Sequence, residues 1–226
     1  MRSGDFLWLA GLGVIVLVLA LPDTRQAFVG LSTAYPYMMG FAKFVVLATM
    51  GELLALRITV GQWRRPVGLW MRAAVWGVLG MAITLMFQVF STGVVAAIAK
   101  GMLPGGYSAT ATFVTAFLIS TVMNLAFAPT FMAFHRVTDT YIDLADGKLA
   151  NLARVELKTV IGRIDWHGFV SFVVVRTLPL FWIPAHTVTF LLPPEFRVLM
   201  AAFLSIALGG ILAFAKRKPQ QLKRVK

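Results

Sequence analysis

The sequence predicts an all-α, polytopic membrane bundle of about six transmembrane helices, with the N and C termini both cytoplasmic. Three observations predict it. Apolar residues make up 59% of the 226 positions and charged residues 13%, with a mean hydropathy of +0.81. A water-soluble domain carries roughly 25% charged residues, so most of this surface meets something other than water. The apolar residues gather into six runs of spanning or near-spanning length, and the basic residues are distributed unequally about those runs.

The first run, Phe6–Leu21, follows Arg2 and looks like a signal peptide. Leu21-Pro22-Asp23 is a poor small-residue cleavage site, which favours a retained, short first helix. With an outer loop it forms residues 1–34. A five-helix membrane bundle follows over 35–215, with apolar runs Met38–Ile58, Ala73–Ala99, Thr112–Phe134, Gly168–Phe190 and Phe196–Ala215. Each approaches the roughly 20 residues a helix needs to cross hydrocarbon. Pro22, Pro36, Pro66, Pro104 with Gly105-Gly106, and Pro193-Pro194 mark the joints. A basic cytoplasmic tail, 216–226, completes a single domain.

The net charge of +12 is placed for a bilayer. In the predicted topology sixteen of the 21 basic residues fall inside: Arg2; Arg57, Arg64, Arg65 and Arg72; Arg136, Lys148, Arg154, Lys158 and Arg163; and six in the tail. Arg25, Lys100 and Arg197 fall outside, while Lys43 and Arg176 lie within runs. This asymmetry follows the positive-inside rule and implies contact with the lipid bilayer and with anionic phospholipids at the cytoplasmic face. It is not the continuous stripe of a nucleic-acid binder, so no nucleic-acid partner is expected. Cysteine is absent, which excludes disulfides, thiolate nucleophiles and Cys-ligated metal.

The long connection 136–167 carries the real polar content. Leu157, Val160, Ile161 and Ile164 follow helical spacing with Lys158 and Arg163 among them. It reads as an amphipathic helix on the inner leaflet or as an ordinary solvated helical hairpin.

Ionisable groups within a membrane need a partner or a watery cavity. Glu52 lies about 8–9 Å in from the cytoplasmic end of its helix, and Arg176 roughly 12 Å in from the same side, at 1.5 Å per residue. Their matched depths suggest a Glu52–Arg176 contact, either lining a pathway or clamping two helices. Gln88 and Asn124 fall near the bilayer centre and suit interhelical hydrogen bonding or pore lining. Lys43, seven residues from Pro36, is expected to snorkel to the outer interface. Pro129, Pro179 and Pro184 interrupt helical hydrogen bonding. Ala73, Gly77 and Gly80 offer close-packing surfaces, which also permit a homo-oligomer. His135, Asp139 and Asp143, spaced by four, share a helix face where a divalent metal could sit, although a solvated helix extension balanced by Arg136 explains them more simply. No catalytic motif is visible, so neither an enzymatic activity nor a cofactor is expected.

From Tyr35 onward the chain resembles the Mpv-seventeen/peroxisomal-membrane-protein family. Gly51-Glu52 stands where that family has a Gly-Asp pair, and Phe127-Ala128-Pro129 matches its Phe-Ala-Pro turn. Trp182 and Pro184 resemble its Trp-Pro, and Phe190, Pro194 and Arg197 its approach to the last helix. The family's acidic-Gln pair is Met123-Asn124 here, its Gln and Asn after Trp-Pro fall at His186 and Thr189, and its Trp-Asn at Leu208-Gly209. The resemblance implies a distant, bacterial-type member with an extra N-terminal helix. It would sit in a bacterial cytoplasmic (inner) membrane or, in a eukaryote, a mitochondrial inner or peroxisomal one. It also implies a pore, channel or transporter-like role for small solutes. The alternative is a structural or partner-binding membrane protein; a lipid-modifying enzyme using His135 and Asp139 stands third.

Overall fold

The computed structural model describes residues 3–105 and 108–222, with side chains of the last helix described as far as Ile211. Among the described residues the chain is helical, with no strand. The helices longer than four residues are α1 (Ser3–Ala20), α2 (Pro22–Ala34), α3 (Pro36–Val60), α4 (Leu69–Ala99), α5 (Ala109–Ala126), α6 (Ala128–Leu144) and the short α7 (Leu157–Arg163). A π-helical stretch, Phe169–Trp182, runs directly into α8 (Ile183–Leu191), and α9 covers Pro194–Leu222. Among the described residues six segments are long and apolar enough to cross a membrane: α1, α3, α4, α5, the continuous Trp166–Leu191, and Pro194–Ile211.

Local chemistry sets the boundaries. Proline stands in the first two positions of α2, α3, α6 and α8, where the missing N–H would have had no helical partner. Ser108 caps α5 by accepting the Ala111 amide at 3.2 Å. Gly61, with φ 78°, closes α3 in the left-handed conformation.

α3 is the central element, packed against α4 on one side and α9 on the other, while α8 lies along α5. Small residues allow the approach. A Cβ added at Gly40 would stand 2.9 Å from the Gly80 carbonyl oxygen, so α3 and α4 meet backbone to backbone. At one end of the bundle Asp5 of α1 accepts from Arg57 (2.8 Å) and from the Trp63 indole (2.7 Å), and Trp8 donates to the Met50 carbonyl. That end also carries the connections after α3 and α6 and is called the basic end below.

Three expectations change. Residues 22–34, expected as an outer loop, form helix α2, whose Ser32 is buried. The Thr112–Phe134 run is broken at Phe127, so only α5 spans; α6 carries His135, Asp139 and Asp143 out to Leu144. The 136–167 connection is therefore not one amphipathic helix. It is the end of α6, a turn at Asp146-Gly147 with positive φ, a four-residue helical turn at Leu149–Leu152, and the seven-residue α7, which covers the helically spaced residues from Leu157. Val160 and Ile164 of that segment are buried while Leu157 and Ile161 are exposed. The start of the basic tail continues α9, and residues 223–226 lie outside the described residues.

Candidate functional site

A cavity of about 290 Å³ opens inside the bundle between α3, α4, α5, α6, α8 and α9. Its body is aromatic and apolar, with Phe44, Trp76, Phe127, Phe131 and Trp182 in the wall. Polar groups occupy its two ends.

The deep end is built on Asn124 of α5 and His186 of α8, both buried. Asn124 Nδ2 donates to the Ser120 carbonyl at 2.8 Å and lies 3.1 Å from His186 Nδ1. Asn124 Oδ1 lies 3.3 Å from the same nitrogen, so the amide can serve Nδ1 as donor or as acceptor according to the imidazole tautomer. Ser120 Oγ donates across to the Ile183 carbonyl at 2.7 Å, fastening α5 to the joint where the π-helical stretch ends. The His186 ring packs between Phe87 (centroids 5.6 Å) and Trp182 (5.0 Å).

The mouth, at the basic end, centres on Arg72. Its guanidinium reaches Glu52 Oε1 of α3 at 3.3 Å, and Asp139 Oδ1 at 2.9 Å and Asp143 Oδ1 at 2.7 Å on α6. The Arg72 side chain is 8% exposed, against 23% for Glu52, 20% for Asp139 and 59% for Asp143. Three carboxylates against one guanidinium leave the mouth net negative. The Trp76 indole N–H lies near the Glu52 carboxylate but outside hydrogen-bond geometry, and its ring packs on His135 with centroids 4.2 Å apart.

The expected site residues are thus partly gathered and partly scattered. Glu52 and Asn124 line the one cavity. Arg176 does not contact Glu52: it is exposed on the outer side of the π-helical stretch. Gln88 is exposed and donates to Thr92 of its own helix at 3.0 Å, so it bridges no neighbour, but it lines a second recess at the opposite end of the bundle. His135, Asp139 and Asp143 do share a face, but Arg72 occupies the space between the carboxylates, and no described group of three such side chains is arranged to hold a metal. Of the motif residues, Gly51, Glu52, Phe127, Ala128, Trp182 and His186 line the cavity. Pro194 and Arg197 line the second recess at the opposite end, and Phe190 packs on Phe87 at 5.0 Å. Arg72 was the missed residue. Its signal was position: it stands immediately before the Ala73, Gly77 and Gly80 packing face.

Burial pushes the His135 imidazole below its ordinary value of 6.5; Arg136 and Arg72 act in the same direction, and Asp139 opposes them. A histidine held neutral in the fold takes up its proton more readily when unfolded. Stability is therefore full above pH ~6.5 and falls as the pH drops below it towards the folded value. Melting temperatures between pH 7.5 and 5.5 should fall for the wild type, and the slope should flatten in His135→Gln. An unchanged slope in the variant would remove His135 as the cause.

Comparison of the chain with protein-family models, curated proteins and solved structures returned no match. What characterises the chain is that, among the described residues, six helices are long and apolar enough to cross a membrane.

Proposed function

We propose that the bundle forms a gated pathway for small solutes, as a pore or transporter-like membrane protein. The observation that carries this reading is a shared wall. The cavity of about 290 Å³ reaches in from the basic end, and a recess of about 490 Å³ reaches in from the opposite end. Phe87 lines both. Its ring is buried and braced by His186 and Phe190, so one aromatic plug stands between two open approaches. Apolar constrictions of this type close a pathway by excluding water. The resemblance to the Mpv-seventeen/peroxisomal-membrane-protein family, if it reflects kinship, implies the same kind of role, and six of the motif positions compared with that family line the cavity.

The test is efflux of small neutral and charged solutes from liposomes holding the purified full chain. Phe87→Ala should raise the rate by at least about tenfold, the change produced by lowering a barrier by ~1.4 kcal/mol. No flux above empty liposomes from folded wild type and folded Phe87→Ala would sink the reading. The Arg72 cluster would then favour the second one, a structural membrane protein in which polar groups fasten α4 to α3 and α6.

A further inference from the structure

The recess beyond Phe87 holds a cation with no ion-pair partner among the described residues. Lys43 lies in its wall and is 8% exposed. Its ammonium donates to Ser32 Oγ at 2.9 Å and sits 4.7 Å from the centroid of the Phe28 ring. No described carboxylate lies within ion-pair distance of it. An ammonium has three N–H donors, and one hydroxyl and one ring face do not replace the water it has lost. A buried charge normally acquires a partner, and the partner here is not supplied by the described chain.

The rest of the recess is built in the same sense. Arg197 lies in the same wall, held by its Nε donating to the Leu192 carbonyl at 2.9 Å and by the Phe190 ring, 5.7 Å away. Two long helices begin there: Pro36 and Tyr37 of α3 and Pro194 of α9 are in the lining. A helix N-terminus presents amide N–H groups and the positive end of its dipole. The first turn of α3 contains no acidic residue. Glu195, in the first turn of α9, is the acidic member of the wall, and it pairs within 4 Å with neither Lys43 nor Arg197. One carboxylate against two cations and two helix starts leaves the recess net positive, the reverse of the mouth at Arg72.

We propose that this recess is an oxyanion site, taking a phosphate or carboxylate group with Lys43 and Arg197 as its cations. The recess is also one approach of the proposed pathway, but the anion site rests on its own residues. The mouth at the basic end is net negative, so an anion held at Lys43 is not drawn onward through the cavity, and binding does not require conduction. A free small anion and the headgroup of an anionic lipid share this chemistry.

The experiment uses the full chain purified in a neutral detergent. Inorganic phosphate is titrated at constant ionic strength while the melting temperature is followed, since a ligand bound by the folded state raises it saturably. In a parallel arm, the protein is placed in nanodiscs of phosphatidylcholine with or without phosphatidylglycerol, and retained lipid is counted by mass spectrometry. We expect saturable phosphate binding, weakened at least about tenfold in Lys43→Gln and in Arg197→Gln, and kept in Lys43→Arg. Retention of phosphatidylglycerol that the same two variants abolish, without phosphate binding, assigns the anion to a lipid headgroup. The proposal is overturned if folded wild type shows only an unsaturated salt effect and retains no more phosphatidylglycerol than Lys43→Gln. It is equally overturned if Lys43→Gln binds phosphate as tightly as wild type. Should Lys43→Gln not fold, Arg197→Gln against Lys43→Arg decides the matter.

Discussion

Replacing Arg72 by Met should destabilise the protein by about 2–3 kcal/mol. Removing one partner of a fully buried ion pair costs roughly 3–5 kcal/mol, because the other charge is left without compensation. Here Glu52 and Asp139 keep about a fifth of their side-chain surface, and Asp143 more than half, so water offsets part of the loss. The effect remains large because one guanidinium serves three carboxylates: without it Glu52 and Asp139 face each other across the cavity mouth uncompensated. The design has an internal check. Glu52→Gln removes one of the repelling charges, so on the Arg72→Met background it should recover part of the loss, although in the wild type it weakens a favourable contact. A double-mutant cycle, read from melts of the detergent-solubilised protein, measures that coupling. Additive effects would mean that Arg72 and Glu52 are not coupled, and an Arg72→Met protein that melts like wild type would mean that the cluster contributes nothing to the fold.

Gly51→Leu should be more damaging still and should prevent accumulation of folded protein. A Cβ at Gly51 would stand 3.1 Å from the Cα and N of Ile206 and from the Ser205 carbonyl oxygen, all backbone atoms of α9 that cannot rotate away. On the other helix, a Cβ at Gly209 would stand 3.0 Å from the Gly51 carbonyl oxygen. The two helices touch through their main chains here. Overpacking such a contact costs about 1–3 kcal/mol for a small addition and more for a branched side chain. Gly51→Ala should therefore fold with reduced stability, and Gly51→Leu should be lost to aggregation in size-exclusion profiles. Gly93→Leu is the control, since nothing lies within 4 Å of its added Cβ. A monodisperse, normally melting Gly51→Leu protein would show that α3 and α9 need no close approach.

Residues of the site divide by the kind of information each needed. Glu52 and Asn124 were readable because a polar side chain in an apolar run is conspicuous and must be satisfied within the bundle. Phe87 was not: a phenylalanine in an apolar helix carries no mark of standing between two open spaces. Arg176 was misassigned through its helix. Depth was counted on an α-helix, but Phe169–Trp182 closes its hydrogen bonds over five residues, as Ile183 N–H to the Leu178 carbonyl and Thr177 Oγ1 to the Phe172 carbonyl show. More residues per turn alter both rise and facing direction, and Arg176 turns outward. Lys43 stands seven residues from Pro36, within snorkelling reach of the interface, but a helix precedes it where the sequence predicts an outer loop. The segment is α2, and its Ser32 and Phe28 close over the ammonium.

By itself the sequence determined that this chain is helical, that six segments can span a bilayer, and where most of those segments start and stop, the break at Phe127 excepted. These are properties of single segments: apolar length set against hydrocarbon thickness, and proline or glycine at the ends. Only the tertiary structure decided which charge meets which. Length and composition give the depth of a residue along its own helix, but not its azimuth or its neighbours. Glu52 pairs with Arg72 and not with Arg176 because glycine contacts draw α3 against α4, and because α6, bent at Phe127, brings Asp139 and Asp143 to the same guanidinium.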